Sequence, residues 1–284
     1  MATWNFTTPG SLRLDLELPA GDIELETVEG DATTVDLEAL SPDAQELVDN
    51  ALVEANERGD GHEIRVVVRA RFGFFISFSR GPHIRLRVSC PPGGDVIVRS
   101  KSADLRARGL YGDFEVKTAS GDTSVEEIGG DARVKSASGD VSLEEVHGMT
   151  SVQSASGDVA LQRTHGDVVV QAVSGDLWIR DAGGSVHGNT VSGDQRIEAV
   201  VAGTIESHAV SGDIYVAVRR GSRVYVDANT VSGSTNSELQ LTDALQEGDE
   251  AEANADAPMV EVRAKTVSGD IMIARAPAPA QLPH

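Results

Sequence analysis

Aliphatic residues recur along the central part of the chain at a spacing of 18 or 19 residues. They lie four residues after a series of regularly placed glycines, at Val125, Leu143, Leu161, Ile179, Ile197 and Val216. The positions two residues after the same glycines are mostly apolar, and the positions in between are mostly not aliphatic. This alternation predicts short β-strands that bury one face.

The same spacing governs a Ser-Gly-Asp motif. It begins at Ser120, Ser138, Ser156, Ser174 and Ser192, at intervals of 18, and recurs at Ser211 and Ser268. A Ser-Gly-Ser variant begins at Ser232, two repeat lengths before Ser268. A weaker nine-residue half-period is marked by glycines, and the second half predicts another buried column at Ala137, Ala155, Val173, Val191 and Val210.

Strands this short cannot bury their apolar face alone, so successive copies must stack. The pattern therefore predicts an all-β fold, a β-solenoid or β-helix with an 18-residue coil made of two nine-residue halves and strands ~4.8 Å apart. An antiparallel meander is the alternative, but its hairpins would favour Asn-Gly or Asp-Gly turns.

The flanking segments differ from the repeats. Ser41-Pro42-Asp43 is typical of a helix start and predicts one short helix over 42–50. We expect three regions. An N-terminal β region, 1–110, contains the helix and a Phe-rich hairpin and caps the solenoid. The solenoid repeats follow at 111–276, with an acidic loop at 243–258, and the chain ends in a disordered tail, 277–284.

Composition narrows the classes of partner. The formal net charge is −21, which argues against nucleic-acid binding through phosphate neutralisation and favours a protein partner or self-association. Cys90 is the single cysteine, so no intrachain disulfide can form. The chain as given shows neither a signal-peptide pattern nor an apolar stretch approaching ~20 residues, so we expect a cytoplasmic protein without a transmembrane segment.

Two columns of polar residues are candidate metal ligands. Asp140, Asp158 and Asp176 would stack at the turns, either bonded to backbone N–H groups or holding Ca²⁺. His147 and His165 lie 18 residues apart, either as exposed turn histidines or as a two-histidine metal site. Each turn offers only one Gly and one Asp, which favours aspartates bonded to the backbone over a calcium site. Exposed turn histidines are likewise commoner than metal-bound ones, so no cofactor is expected.

Two further groups are candidates for interaction. Four of the six phenylalanines, Phe72, Phe74, Phe75 and Phe78, lie within a basic stretch, 58–108, that holds 11 of the 24 basic residues. They would either cap the solenoid or contact an acidic partner or a membrane surface peripherally. Trp178, Arg196 and Tyr215 would share one outward column, as a local cation–π ladder or a contact patch.

No sequence motif indicates catalysis. The chain has no phosphate-binding loop, dinucleotide-binding glycine pattern, metalloprotease helix or nucleophile elbow. The central turns are also too short to wall a cleft. We therefore expect a non-enzymatic protein.

The repeated motif resembles a known bacterial family. Ser138-Gly139-Asp140-Val141 and Ser156-Gly157-Asp158-Val159 are similar to the β-strand repeats of an actinobacterial-type family of unknown function, named as candidate adhesins and related to toast-rack domains. The resemblance implies a β-solenoid, for some members a link to cell-envelope stress systems, and no catalytic residues. The adhesin name implies a location at the cell surface, in contrast to the cytoplasmic location expected above.

Three functional hypotheses follow. The first is a structural or protein-interaction scaffold. The second is a self-assembling filament similar to the bactofilins, and the third is an acidic rod that mimics DNA for a basic protein.

Overall fold

The structure is a computed structural model that describes residues 1–69, 82–239 and 258–276. Within these ranges the chain forms two compact units, Met1–Gly157 (unit 1) and Asp158–His284 (unit 2). The four phenylalanines, nearly all of the predicted acidic loop and the predicted tail lie outside the described residues, so the predictions on them stay predictions. The three-region division also stays a prediction.

Unit 1 contains twelve strands and one helix among its described residues. In chain order they are β1 Ala2–Thr7, β2 Leu12–Thr27, β3 Ala32–Ala39, α1 Pro42–Asp49, β4 Leu52–Arg58, β5 Gly61–Val67, β6 Ile84–Cys90, β7 Asp95–Tyr111, β8 Phe114–Ser120, β9 Thr123–Ile128, β10 Ala132–Ser138, β11 Val141–Val146 and β12 Thr150–Ser156.

Strands β7 to β12 pair in parallel with a register of 18 residues. Val96 lies opposite Phe114, Phe114 opposite Ala132, and Ala132 opposite Thr150. The long strands β2 and β7 each span both halves of one coil. We call each level of this stack a rung. The predicted 18-residue β-solenoid is confirmed, and the antiparallel meander is not the arrangement of the repeats.

The N-terminal strands of unit 1 depart from the coil. Strand β3 pairs antiparallel with β1 and β6, and β4 pairs antiparallel with β5. The predicted helix is present, and Ala44 and Val48 are its buried residues. Ser41 precedes it as expected, but its hydroxyl accepts a hydrogen bond from the backbone N–H of His83 (3.1 Å) and caps no helical N–H.

Unit 2 contains eleven strands among its described residues. They are β13 Val159–Thr164, β14 Val168–Ser174, β15 Leu177–Ala182, β16 Val186–Ser192, β17 Gln195–Val200, β18 Gly203–Ser211, β19 Ile214–Val218, β20 Arg223–Ser232, β21 Thr235–Ser237, β22 Met259–Ser268 and β23 Ile271–Arg275.

The last two coils of unit 2 are not stacked in chain order. Strand β22 lies between β18 and β20, so that Ser268 is opposite both Ser211 and Ser232. In the same way β23 lies between β19 and β21. The chain therefore skips one rung at β20 and β21, and β22 and β23 later fill the skipped rung.

The core of each unit follows the first predicted pattern. The six aliphatic residues after the repeat glycines are at most 1% exposed, and so are their partners Val141, Val159, Leu177, Gln195 and Ile214.

The second predicted column is wrong. Val173, Val191 and Val210 are about half exposed (52%, 49% and 50%), and Ala137 and Ala155 are exposed as well. Alternation in these strands places the residue before each inward instead, for example Ser136 and Thr190. The chain thus buries small and polar side chains next to the turn.

Close approach between turns explains the repeated glycine. Gly139 has φ +124°, and a Cβ there would lie 2.4 Å from the carbonyl oxygen of Gly121 on the adjacent rung. Gly212 has φ +143° and would place a Cβ 2.2 Å from the carbonyl of Gly193. Any larger residue would both strain the backbone and separate the rungs.

Candidate functional site

The turn aspartates of unit 2 form a hydrogen-bonded series that we call the aspartate ladder. In each step a backbone N–H donates to the Oδ1 of the aspartate on the adjacent rung, at 2.7–2.8 Å. The pairs are Asp176 to Asp158, Asp194 to Asp176, Asp213 to Asp194, Asp270 to Asp213 and Ser234 to Asp270. The carboxylates thus bond to backbone N–H groups, but between rungs and not within one turn.

Unit 1 repeats the arrangement at the corresponding positions of its coils. The N–H of Asp122 donates to Asp104 (3.1 Å), and that of Asp140 donates to Asp122 (2.9 Å). Each of these bonds engages one carboxylate oxygen and offsets part of the repulsion between stacked charges. Calcium binding at Asp140, Asp158 and Asp176 stays a prediction.

Ser234 ends the ladder in unit 2. Its backbone N–H and its hydroxyl both donate to Asp270 Oδ1, at 2.7 and 2.9 Å. These two hydrogen bonds, the backbone one first, lower the pKa of Asp270 below its ordinary value. The variant Ser-Gly-Ser motif therefore places a residue without a carboxylate on the last described rung.

The predicted outward column is present in unit 2 and is longer than expected. Trp178 lies opposite Arg196, Arg196 opposite Tyr215, and Tyr215 opposite Met272. Arg196 Cζ lies 4.5 Å from the centre of the Tyr215 ring, a cation–π contact. The sequence analysis missed Met272 because β23 reaches this position only by stacking out of chain order. We call these four residues the aromatic column.

Glu198 forms an ion pair with Arg196, the basic residue of the aromatic column. Arg196 Nε donates to Glu198 Oε1 at 2.7 Å. Burial is the largest single influence on the pKa of Glu198 and raises it. The hydrogen bonds from Arg196 and Trp178, with the nearby positive charge of Arg196 and Arg180, outweigh burial and lower the pKa overall. Glu198 therefore stays ionised and holds the guanidinium in place.

A shallow groove of about 540 Å³ runs over the aromatic column. It is lined on one side by the aspartate ladder from Asp176 to Asp270 and on its floor by the aromatic column. The groove lies on the outer face of β15, β17, β19, β23 and β21, so it crosses five rungs. Its shape suits an elongated ligand that lies on a sheet.

The two candidate histidines belong to different units. In unit 1, His147 Nε2 lies 3.1 Å from Glu127 Oε1 and 4.0 Å from Glu145 Oε1. In unit 2, His165 is exposed in the turn between β13 and β14. Metal binding at either residue stays a prediction.

The described part of the basic stretch is largely paired with acids of unit 1. Arg87 Nε lies 2.7 Å from Glu24, and Arg85 Nη1 lies 3.4 Å from Glu38. Arg99 also pairs with a carboxylate, that of Asp15. These side chains alternate with acids across neighbouring strands, an arrangement that favours a neutralised surface over a basic patch.

Peripheral membrane contact stays a prediction. No helix in the described ranges is both long and apolar enough to cross a bilayer.

Comparisons with known proteins give a family and a fold. The family model described as Toastrack DUF4097 matches residues 43–201 and 185–274. No curated protein matches the chain.

Three crystal structures are similar over nearly their whole length. A candidate adhesin from Bacteroides fragilis is 14% identical, with 96% of each chain covered and a TM-score of 0.44. A candidate lipid binding protein from Parabacteroides distasonis is 13% identical, with 97% of this chain and 96% of that one covered and a TM-score of 0.36. A candidate cell adhesion protein from Clostridium sporogenes is 11% identical, with 93% and 92% covered and a TM-score of 0.26. Identities and scores this low carry no functional argument.

Proposed function

The chain belongs to the toastrack DUF4097 family, and from this membership and the geometry of unit 2 we propose that it is a non-enzymatic, adhesin-like scaffold that binds another protein. One observation carries the proposal: the aromatic column, Trp178–Arg196–Tyr215–Met272, lies along the floor of an open groove. Tryptophan, tyrosine and arginine are the residues that most often dominate the energy of protein interfaces.

The chemistry of the groove supports binding over catalysis. Its ladder carboxylates each accept a backbone N–H through Oδ1, and its arginine is held by Glu198. Among the described residues that line it, there is no histidine, cysteine or lysine to act as a base or nucleophile. An open, shallow groove also excludes little water, whereas enzymes generally close around the reacting atoms.

Site-specific photo-crosslinking tests the scaffold. A photoreactive phenylalanine analogue replaces Tyr215 in one variant and Ser142 in another, in cells of the source organism. Ser142 holds the equivalent outward position on β11 of unit 1, where no aromatic column exists. We expect one discrete adduct from position 215 and none from 142, with the partner identified by mass spectrometry. The absence of an adduct from position 215, or equal adducts from both positions, contradicts the proposal.

The finer hypotheses stay predictions. These are the link to cell-envelope stress systems, the cytoplasmic location, the bactofilin-like filament and the DNA mimic. For the filament, Ser234 counts against continued stacking, since a further rung would find no carboxylate there to accept its N–H. Light scattering during size-exclusion chromatography tests self-association of the whole chain, with Phe75→Asp as the variant for the Phe-rich segment.

A further inference from the structure

The charged residues that line the groove over the aromatic column are mostly acidic. Four ladder carboxylates, Asp176, Asp194, Asp213 and Asp270, line it at intervals of one rung, which is ~4.8 Å in a β-sheet. Arg196 is the basic residue in the groove lining, and Glu198 already neutralises it. A ligand in this groove therefore meets a row of carboxylates that no basic side chain of the described lining neutralises.

The aromatic rings add a preference for cations over other ligands. The guanidinium of Arg196 lies 4.5 Å from the centre of the Tyr215 ring, so the chain itself shows that a cation fits on this surface. Trp178 lies two rungs from Tyr215 and is partly exposed. Indole is the most favourable ring for a cation. Met272 adds a flexible apolar contact, 37% exposed, at the other end of the column.

The dimensions favour an extended peptide. The five rungs span about 19 Å, and an extended chain rises ~3.3 Å per residue, so about six residues cover the groove. Side chains on one face of such a peptide recur every two residues, so three basic side chains would face four carboxylates.

We propose that the groove binds an extended segment of a partner protein, about six residues long, with Lys or Arg at alternate positions. This inference rests on the proposed scaffold function and names the chemistry of its partner.

A labelled peptide tests the inference directly. The probe is acetylated Lys-Ala-Lys-Ala-Lys-Ala, with Glu-Ala-Glu-Ala-Glu-Ala as the charge-reversed control. The chain has two tryptophans, so Trp4→Phe leaves Trp178 as the only one and makes its emission a reporter of the groove. We expect the lysine peptide to change Trp178 emission saturably and the glutamate peptide to leave it unchanged.

Two matched double variants separate groove binding from general attraction to an acidic protein. Asp194→Asn with Asp213→Asn removes two charges from the groove and keeps an oxygen for the hydrogen bonds that these residues accept from Asp213 N–H and Asp270 N–H. Asp104→Asn with Asp122→Asn removes two charges from the corresponding coil positions of unit 1. We expect the first pair to weaken binding at least tenfold and the second less than twofold, in low salt, with thermal melting temperatures of both no lower than that of the parent.

Each other outcome overturns the inference. Equal weakening by both pairs shows diffuse charge attraction, and no response to the lysine peptide shows that the groove does not select cations. If cross-linking at position 215 still gives a discrete partner, the scaffold stands and only its proposed cationic ligand fails. A partner that proves to be a second copy of the chain or a carbohydrate likewise overturns it.

Discussion

The side chain of Gln195 occupies core space that the absent side chain of Gly188 leaves free. A Cβ on Gly188 would lie 2.5 Å from Gln195 Oε1. Gln195 is 1% exposed, and its Nε2 donates to Thr190 Oγ1 (3.0 Å) and to the carbonyl of His208 (2.8 Å). The adjacent rung carries Val170 opposite Gly188 and Leu177 opposite Gln195, so an apolar pair is the alternative packing.

These two positions should therefore be energetically coupled. Gly188→Val alone overpacks the core and should cost about 1–3 kcal/mol. Gln195→Val alone removes the donor from two buried acceptors and should cost about 1–3 kcal/mol. The double variant restores an apolar pair, and we expect it to recover at least ~1 kcal/mol relative to the sum of the single costs. Urea denaturation of the four proteins measures the cycle.

A pair of distant substitutions controls for general effects. Val170→Ala combined with Val262→Ala, on strands of unit 2 that lie three rungs (~14 Å) apart, should give additive costs because the two residues are too far apart to share a cavity. Additive behaviour of the Gly188 and Gln195 variants would show that the two side chains do not compete for one space.

The aspartate ladder should depend on its oxygen more than on its charge. Asp194→Ala removes the acceptor of the Asp213 N–H and should cost about 0.5–1.5 kcal/mol. Asp194→Asn keeps an acceptor and removes repulsion of about 1 kcal/mol from each like-charged neighbour. At low ionic strength its thermal stability should therefore equal or exceed that of the parent protein. Thermal melting in low and high salt measures both. Asp227→Ala, an exposed aspartate on β20, is the control and should have little effect.

The end of the ladder should titrate abnormally. The bonds from Ser234 lower the pKa of Asp270 in the folded protein. Its contribution to stability is therefore fully present above the unfolded-state pKa of ~3.9 and is lost as the pH falls through the lower folded-state value. Ser234→Ala removes the hydroxyl bond but leaves the backbone one, so the pKa should rise part of the way to normal. Carbon NMR of the Asp270 carboxyl measures this, and Ser142→Ala should leave the pKa in place. An unchanged pKa in Ser234→Ala contradicts the assigned cause.

The exposed valine column should tolerate truncation. Val191 is 49% exposed and Val170 is fully buried, on adjacent strands β16 and β14. Val170→Ala should cost about 2 kcal/mol because it leaves a cavity, whereas Val191→Ala should stay within about 0.5 kcal/mol. Denaturant unfolding compares the two identical substitutions. A cost at Val191 equal to that at Val170 would place this column in a buried contact of the protein in solution.

The sequence predicted the solenoid because a strict 18-residue period repeats both the buried positions and the turn glycines. It correctly placed Leu143 and Ile179 in the core, and Trp178, Arg196 and Tyr215 in one outward column. It misplaced Val173, Val191 and Val210 because these residues are aliphatic at an outward position, and hydrophobicity alone does not fix the face of a strand. The Oδ1 acceptors of the ladder lie one rung away from their donors, so their partners could not be found within a single motif.

By itself, the sequence determined the coil length, the spacing of the turns and the residues that share a column. Only the tertiary structure decided the order of the last strands, and with it the position of Met272 beside Tyr215. The physical reason is that β21 and β23 differ in how apolar they are, and only one of them can occupy the inner rung. Ile271 and Ile273 of β23 are buried between two neighbouring strands, whereas Thr235 and Ser237 of β21 are exposed on the outer one. Burying the isoleucines requires β23 to lie inside, and this preference depends on the assembled stack.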